Sequence, residues 1–599
     1  MQNAAVEDLP MPLLDNAMFC YQCEQTAKGT GCTTVGVCGK TPEVTFLQDL
    51  LTYTIKGLCS WAAWAKTQGV TLPAGFASYL HAATFSTLTN VNFDPARFKE
   101  YLQTGQQFKV QIQESLRAAG VNEPPPLGKN EDADKAAAFF GPLVHPSRWE
   151  VAPDFFATSS DDALQALGGL ASLEHRRHLV DKTVLGLQEM LVYGLRGMCA
   201  YAHHADVLGQ RAPEADDFVV EAYSFLCTPE AGDVDSLLSM IMQCGQANLG
   251  AMRALDAGHT GRFGHPVPSP VRLTPVKGKA ILISGHDMGD LYDLLKATEG
   301  TGINVYTHGE MLPAHGYPEL KKFPHLVGNY GGAWYRQQKE FAEFPGAILM
   351  TTNCIIEPRS TYSDRLFTTG EVGWPGVGYI PYGESPEAGK DYSGLIARAQ
   401  ELPGFVHEPE EPRFVTTGFA RNAVLSVADK VVDAVKQGHL KHIFVVGGCD
   451  GSEPDRKYFG KVADAIPQDT MLLSLGCGKF RFYDHDFGML AGTELPRYLD
   501  MGQCNDAYSA IAVASALAKE MNTDINSLPL SLDLSWLEQK AVAVLLTLLS
   551  LGVKNIRIGP KPPAFLTPEA LAVVVDKFGL KVTDVKNPEG DVQAMLAGA

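Results

Sequence analysis

The sequence predicts a multidomain α plus α/β protein: N-terminal helical bundles with an internal repeat, then two Rossmann-like α/β domains with parallel sheets. Three observations predict it. Before residue 265 the apolar residues recur at helical spacing, as in Phe46, Leu47, Leu50, Leu51, Ile55 and Leu58, and again in Val184, Leu187, Leu191 and Leu195. Two stretches of that region resemble each other. After residue 275, short β-rich runs alternate with helical segments, as βαβ units do.

Residues 1–17 are acidic (Glu7, Asp8, Asp15), contain Pro10 and Pro12, and lack the basic start of a signal peptide. They are expected to be a disordered lead-in, and Met18 offers an alternative start. Residues 18–270 form the helical domain, interrupted by a loop at Glu123-Pro124-Pro125-Pro126 and closed by the Pro-rich run 264–270. Within it, LQDLLTYTIKGLCSWAAWA (47–65) matches LQEMLVYGLRGMCAYAHHA (187–205) at eight of 19 positions. This predicts two similar bundles, each with a Gly-x-Cys on a helix contact, and makes Cys59 and Cys199 core residues. His203-His204 replaces Ala63-Trp64 and reads as a polar helix face. Two α/β domains follow, 271–415 and 416–599, separated by the break at 408–412.

The 599 residues carry a net charge of −19, which argues against nucleic acid or an anionic membrane surface as the main partner. The most apolar run, 541–553, is shorter than the roughly 20 residues that span a bilayer. A cytoplasmic protein with no membrane partner is expected. In that setting the 12 cysteines are metal ligands or buried apolar residues, not disulfides.

Their placement favours metal. The β-rich runs 280–284, 303–307, 347–352, 443–446 and 471–475 lead directly to His286, Glu310, Cys354, Cys449 and Cys477. In open α/β sheets the ligand site lies beyond the carboxyl ends of the strands. A lone cysteine there is usually a core residue; three in Gly-rich or polar strand-end loops, with His and Glu, point to a metal centre between two domains. Cys504 opens an Ala-rich helix, where the helix N-terminus favours thiolate. Glu538 and Lys540 head the apolar helical stretch 536–552; taken singly, they read as a first-turn carboxylate and a solvated flank. His308 and His315 flank Glu310 and fit a supporting role or a structural hydrogen bond equally well.

Near the start, Cys20-x2-Cys23-x8-Cys32-x5-Cys38 packs four thiols into 19 residues, a pattern for zinc or an iron–sulfur cluster. A CCCH zinc finger would need His where Pro42 stands.

The stretches MFCYQCEQTA, TLTNVNFD, ISGHD, YTHGEMLPAHGYPEL, TNCII, GGCDG, CGKFRF, GQCNDAYSA and WLEQKA resemble the hybrid-cluster (prismane) family of hydroxylamine reductases, from Met18 onward. Carbon monoxide dehydrogenases are similar to that family in fold but carry other cysteine patterns. The resemblance implies two cofactors. Cys20, Cys23, Cys32 and Cys38 would hold one [4Fe-4S] cluster, the x2-x8-x5 spacing being that of the family's [4Fe-4S] class. A hybrid [4Fe-2O-2S] cluster would be held by His286, Glu310, Cys354, Cys449, Cys477, Cys504 and Glu538, with Cys449 as a persulfide and Lys540 beside it.

The activity implied is reduction of hydroxylamine to ammonia and water, with Glu310, Glu538 and Lys540 as proton donors. Two rivals use the same cluster: reduction of nitric oxide to nitrous oxide, and a nitrosative-stress sensor passing nitrosyl groups to proteins. A zinc-bound structural protein is the bland rival. No G-x-G-x-x-G lies between a strand and a helix, so electrons are expected from an external redox protein.

Overall fold

The computed structural model describes residues 18–126, 143–383, 389–409 and 411–598; the lead-in over 1–17 lies outside the described residues. Helices dominate up to Phe263. The repeat forms two helices of 26 residues each, Pro42–Thr67 and Lys182–Val207. Thr41 caps the first, accepting from Val44 N–H, with Pro42 in the first turn; Asp181 caps the second. The Gly-x-Cys pairs do lie on close contacts. A Cβ on Gly57 would stand 2.4 Å from Pro146 O, and one on Gly197 the same distance from Gln539 O. Cys59 and Cys199 are fully buried.

Two sequence expectations change here. The repeat copies do not build separate bundle cores: one continuous apolar core holds both, together with the helices Val234–Phe263 and Gln539–Ser550. The last of these comes from the far end of the chain and is pinned by Thr547, whose Oγ1 donates to Gly245 O (2.8 Å) and accepts from Asn248 Nδ2 (2.9 Å). Nor is His203-His204 a polar face turned to solvent. Both are buried, with ring centroids 5.7 and 5.3 Å from Phe85.

The remainder is α/β, as expected. The strands are β1 (Ser269–Arg272), β2 (Lys279–Ser284), β3 (Ile303–His308), β4 (Leu326–Asn329), β5 (Ala347–Met350), β6 (Leu366–Thr369) and β7 (Gly378–Ile380), then β8 (Phe414–Thr417), β9 (His442–Gly448), β10 (Thr470–Leu475), β11 (Tyr498–Gly502), β12 (Leu530–Ser535), β13 (Ile556–Gly559) and β14 (Lys581–Val582). Among the described residues they form two six-stranded parallel sheets, ordered β4-β3-β2-β5-β6-β7 and β11-β10-β9-β12-β13-β14. Both orders are doubly wound, so the winding reverses between β2 and β5 and between β9 and β12, where a crevice opens. β5 and β10 are buried throughout, as strands covered on both faces must be. The two Pro-rich joints pair with each other: β1 and β8 form an antiparallel ribbon, Ser269 opposite Thr417 and Arg272 opposite Phe414. No described helix is long and apolar enough to cross a membrane.

Candidate metal centres

The carboxyl ends of the two sheets face one cavity. Seven strands deliver one candidate ligand each: β2 His286, β3 Glu310, β5 Cys354, β9 Cys449, β10 Cys477, β11 Cys504 and β12 Glu538, and all seven line the cavity. Sequence reading placed Cys504 and Glu538 on helices only. The structure adds the strands before them. Left-handed glycines let the loops approach: Gly448 (φ 105°) brings β9 against β12, where a Cβ would stand 2.0 Å from Ser535 O, and Gly476 (φ 77°) packs on Gly448 O.

Hydrogen bonds fix the donors. Nδ1 of His286 meets Thr352 Oγ1 at 2.8 Å, and its Nε2 lies 3.1 Å from Lys540 Nζ and 3.7 Å from Glu310 Oε2. Cys504 N–H donates to Glu310 Oε2 (2.9 Å), while Glu310 Oε1 is buried without a partner. Gln503 Nε2 braces the two units, donating to the carbonyls of His286 (3.0 Å) and Glu310 (2.8 Å). Asn353 donates to Cys354 Sγ (3.2 Å) and accepts from Lys540 Nζ (2.8 Å). Glu538 caps its helix, accepting from Lys540 N–H at 2.7 Å. Among the described residues, His286, Glu310 and Cys504 form a grouping whose ligand atoms all lie within 4.8 Å of one another.

The charges show what the cavity is built for. Burial, then Glu538, pushes the Cys449 thiol well up; burial, then Glu310, does so for Cys477. Cys354 rises for the same reasons, and burial takes Cys504 to about 12 against the pull of Lys540. Burial also raises both carboxyls, opposed by Lys479 and Lys540 at Glu310 and by Lys540 at Glu538. Burial and then Lys540 hold His286 well below its usual range, so it is neutral, the form that binds metal. Burial alone would lower Lys540, but Cys504, Glu538, Cys354 and Glu310 together raise it. Four thiols and two carboxyls thus share a buried space in which they cannot all ionise without a cation; bound metal ions reverse that balance. The donor set and the unpartnered Glu310 oxygen fit a metal cluster.

One sequence reading is corrected at this site. Lys540 is 1% exposed, not a solvated flank, because its helix packs end-on against the cavity. His308 and His315 take the structural role. His308 bridges Ser284 Oγ (2.9 Å) and Glu340 Oε2 (3.0 Å), and His315 meets Thr307 Oγ1 (3.0 Å).

The N-terminal thiols also converge. Cys20 and Cys32 face each other across a short antiparallel bridge, with N–H to carbonyl distances of 3.0 and 2.8 Å. Burial, then the thiols of Cys38, Cys20 and Cys32, pushes Cys23 well up. Ala27 N–H donates to Cys32 Sγ (3.4 Å), and buried Lys40 lies against Cys20 and Cys38. Among the described residues these four thiols do not approach one another as closely as the ligand atoms of His286, Glu310 and Cys504.

Sequence reading missed a small polar chamber behind His286 and Lys540, lined also by His204, His259, Asp287, Gln503 and Asn505. Both nitrogens of His204, Nδ1 of His259, Oε1 of Gln503 and Nδ2 of Asn505 lack hydrogen-bond partners there. The only sequence signal was the departure of His203-His204 from the repeat.

The profile of the Prismane/CO dehydrogenase family matches residues 18–593. The chain belongs to this family. Among its prismane-family relatives, a hydroxylamine reductase of Syntrophobacter fumaroxidans is 48% identical over 579 residues, spanning 97% of this chain and 100% of the relative. A hydroxylamine reductase of Burkholderia ambifaria is 49% identical over 592 residues, spanning 97% and 99%. Carbon monoxide dehydrogenase IV from Carboxydothermus hydrogenoformans shares the fold with a TM-score of 0.54 at 16% identity, over 98% of this chain and 94% of that one. An as-isolated, nickel-free carbon monoxide dehydrogenase from Thermococcus sp. AM4 gives 0.53 at 17% identity, over 96% and 91%.

Proposed function

We propose that this protein reduces hydroxylamine to ammonia and water, consuming two electrons and two protons. The cavity between the sheets holds the hybrid iron–sulfur–oxygen cluster on His286, Glu310, Cys354, Cys449, Cys477, Cys504 and Glu538, with Cys449 as a persulfide. Cys20, Cys23, Cys32 and Cys38 hold a [4Fe-4S] cluster that receives electrons from an external redox protein. The observation that carries this reading is the single buried cavity in which one nitrogen, two carboxylate and four sulfur donors converge from seven strand ends. The relatives called hydroxylamine reductases support it.

When bound, the cluster supplies electrons and an open iron position for the nitrogen or oxygen of hydroxylamine. The protein does the rest. His286 is held neutral and oriented by Thr352. Lys540 is held cationic by the carboxyls and thiols around it and aimed by Asn353. It is the proton source nearest His286 Nε2. Burial raises the pKa values of Glu310 and Glu538, which favours their protonated forms and suits both to a role in proton transfer. Trp334 and Leu537 wall the cavity and limit water. The division into 18–270, 271–415 and 416–599 puts this site at a junction of domains.

The test is anaerobic purification, iron and labile-sulfide analysis, and turnover with hydroxylamine and nitric oxide at matched concentrations. Faster hydroxylamine turnover is expected. Faster nitric oxide turnover would favour the rival substrate, and protein that holds zinc but no iron would overturn both.

A further inference from the structure

The four-cysteine loop and the cavity are joined by a buried charge pair that the chemistry above leaves unused. Glu24 follows Cys23 directly, and neither its side chain nor that of Arg456 has any exposure. Arg456 Nη2 donates to Glu24 Oε2 (3.1 Å) and to Trp536 O (2.6 Å); Nη1 donates to Cys449 O (3.2 Å) and Ser535 Oγ (2.6 Å). One guanidinium thus grips the residue after Cys23, the carbonyl of Cys449 and the chain leading to Glu538. The loop is tied a second time. Glu24 N–H donates to Leu537 O at 3.0 Å, and Gln539 Nε2 donates to Gln22 O at 2.6 Å.

A fully desolvated ion pair adds little net stability over apolar packing of the same shape, because both charges give up their hydration. What it does add is direction: a planar fork fixes its partners in angle as well as distance. Here the partners belong to the two candidate metal sites.

We infer that Glu24 and Arg456 are positioning residues for electron delivery, holding the four-cysteine loop at a fixed separation from Cys449 and Glu538. The inference rests on the function proposed above. Each electron that leaves the N-terminal centre oxidises it by one and reduces the cavity centre by one. Two such transfers, with two protons, turn one hydroxylamine into one ammonia and one water, and the external redox protein restores the N-terminal centre. Electron transfer weakens steeply with separation, so a loop that shifts away from Cys449 and Glu538 delivers electrons more slowly. A loop free to drift would slow delivery without touching the ligands.

The test uses holoenzyme carrying Glu24→Gln or Arg456→Lys. The N-terminal centre is reduced, hydroxylamine is added, and its reoxidation is followed by freeze-quench EPR; hydrogen exchange of residues 20–26 is measured alongside. Expected are both EPR signals, full iron content, slower reoxidation and a lower kcat, unchanged KM, and faster exchange in the loop. Glu24→Asp, which keeps the charge but shortens the arm, should fall between. Reoxidation at the wild-type rate in variants with both centres intact would overturn the inference while leaving the function standing. So would loss of the N-terminal centre from both Glu24→Gln and Glu24→Asp, which would make the pair a folding element. Wild-type protein that neither holds iron nor turns over hydroxylamine would sink the functional reading itself.

Discussion

Replacing Glu310 by Gln separates chemistry from folding. Glu310 Oε2 accepts the Cys504 N–H at 2.9 Å, and an amide oxygen can take over that bond. The amide nitrogen would then occupy the place of Oε1, which has no partner in the folded chain. An unsatisfied buried donor costs about 1–3 kcal/mol. Against this, the change removes a carboxyl whose pKa burial has raised, so its desolvation is relieved. The two effects have opposite sign, so stability should fall by less than the full cost of an unsatisfied donor, about 1–3 kcal/mol. Turnover has no such compensation. An amide neither carries the proton nor supplies an anionic oxygen, and lost acid–base catalysis costs roughly 10²–10⁴-fold, about 3–5 kcal/mol of barrier. The assay is anaerobic hydroxylamine reduction, with urea unfolding and the cluster's spectrum as controls. Near-normal turnover with an unaltered spectrum would refute both roles of Glu310 and weaken the assignment of the other six donors.

Cys32→Ser should abolish the EPR signal of the N-terminal centre and leave the cavity's signal in place; losing both from a folded protein would count against two separate sites. Gly197→Ala should lower the urea midpoint by the equivalent of about 1–3 kcal/mol and reduce turnover, because the new Cβ would press on Gln539 O and displace the helix that carries Lys540. An unchanged midpoint would show that this contact yields without strain. Glu371 lies between Arg97 and His203, each at 3.6 Å, and burial raises its pKa to about 7 against Arg97. Its folded pKa exceeds the unfolded one, so its contribution to stability is full below about 4.5 and is lost as pH rises to about 7, roughly 3 kcal/mol at most. Denaturation midpoints at pH 5 and pH 8 should therefore differ less in Glu371→Gln than in the parent, and equal differences would disprove the assignment.

The fold class was legible because local pattern decides it: a run such as 280–284 can only be a strand covered on both faces, and the loop after it must open on a crevice. His286, Glu310, Cys354, Cys449 and Cys477 were found by that logic alone. β11 and β12 escaped because each carries a buried aspartate, Asp500 and Asp533, that interrupts the apolar run; Asp500 is paired with Lys479, a partner that only the fold supplies. Cys504 and Glu538 were therefore seen as helix starts and not as strand ends. β1 was hidden by Pro270, which reads as a joint until β8 arrives beside it. The burial of His203, His204 and Lys540 could not be read locally, since each is covered by segments hundreds of residues away, as the contact between Lys540 and His286 shows.

The ribbon of β1 and β8 closes off the unit that carries three of the seven donors. It brings the two ends of the stretch 273–413 side by side, and backbone bonds such as Phe93 N–H to Gly373 O (2.9 Å) and Ile355 N–H to Asn90 O (3.0 Å) seat that unit against the helical region. The cavity is walled half by that unit and half by the sheet of β9 to β14, and it comes into being only when the two are seated together. The unit of β2 to β7 thus brings three of the donors, His286, Glu310 and Cys354, and the sheet of β9 to β14 brings the other four, so the donor set is complete only with both in place.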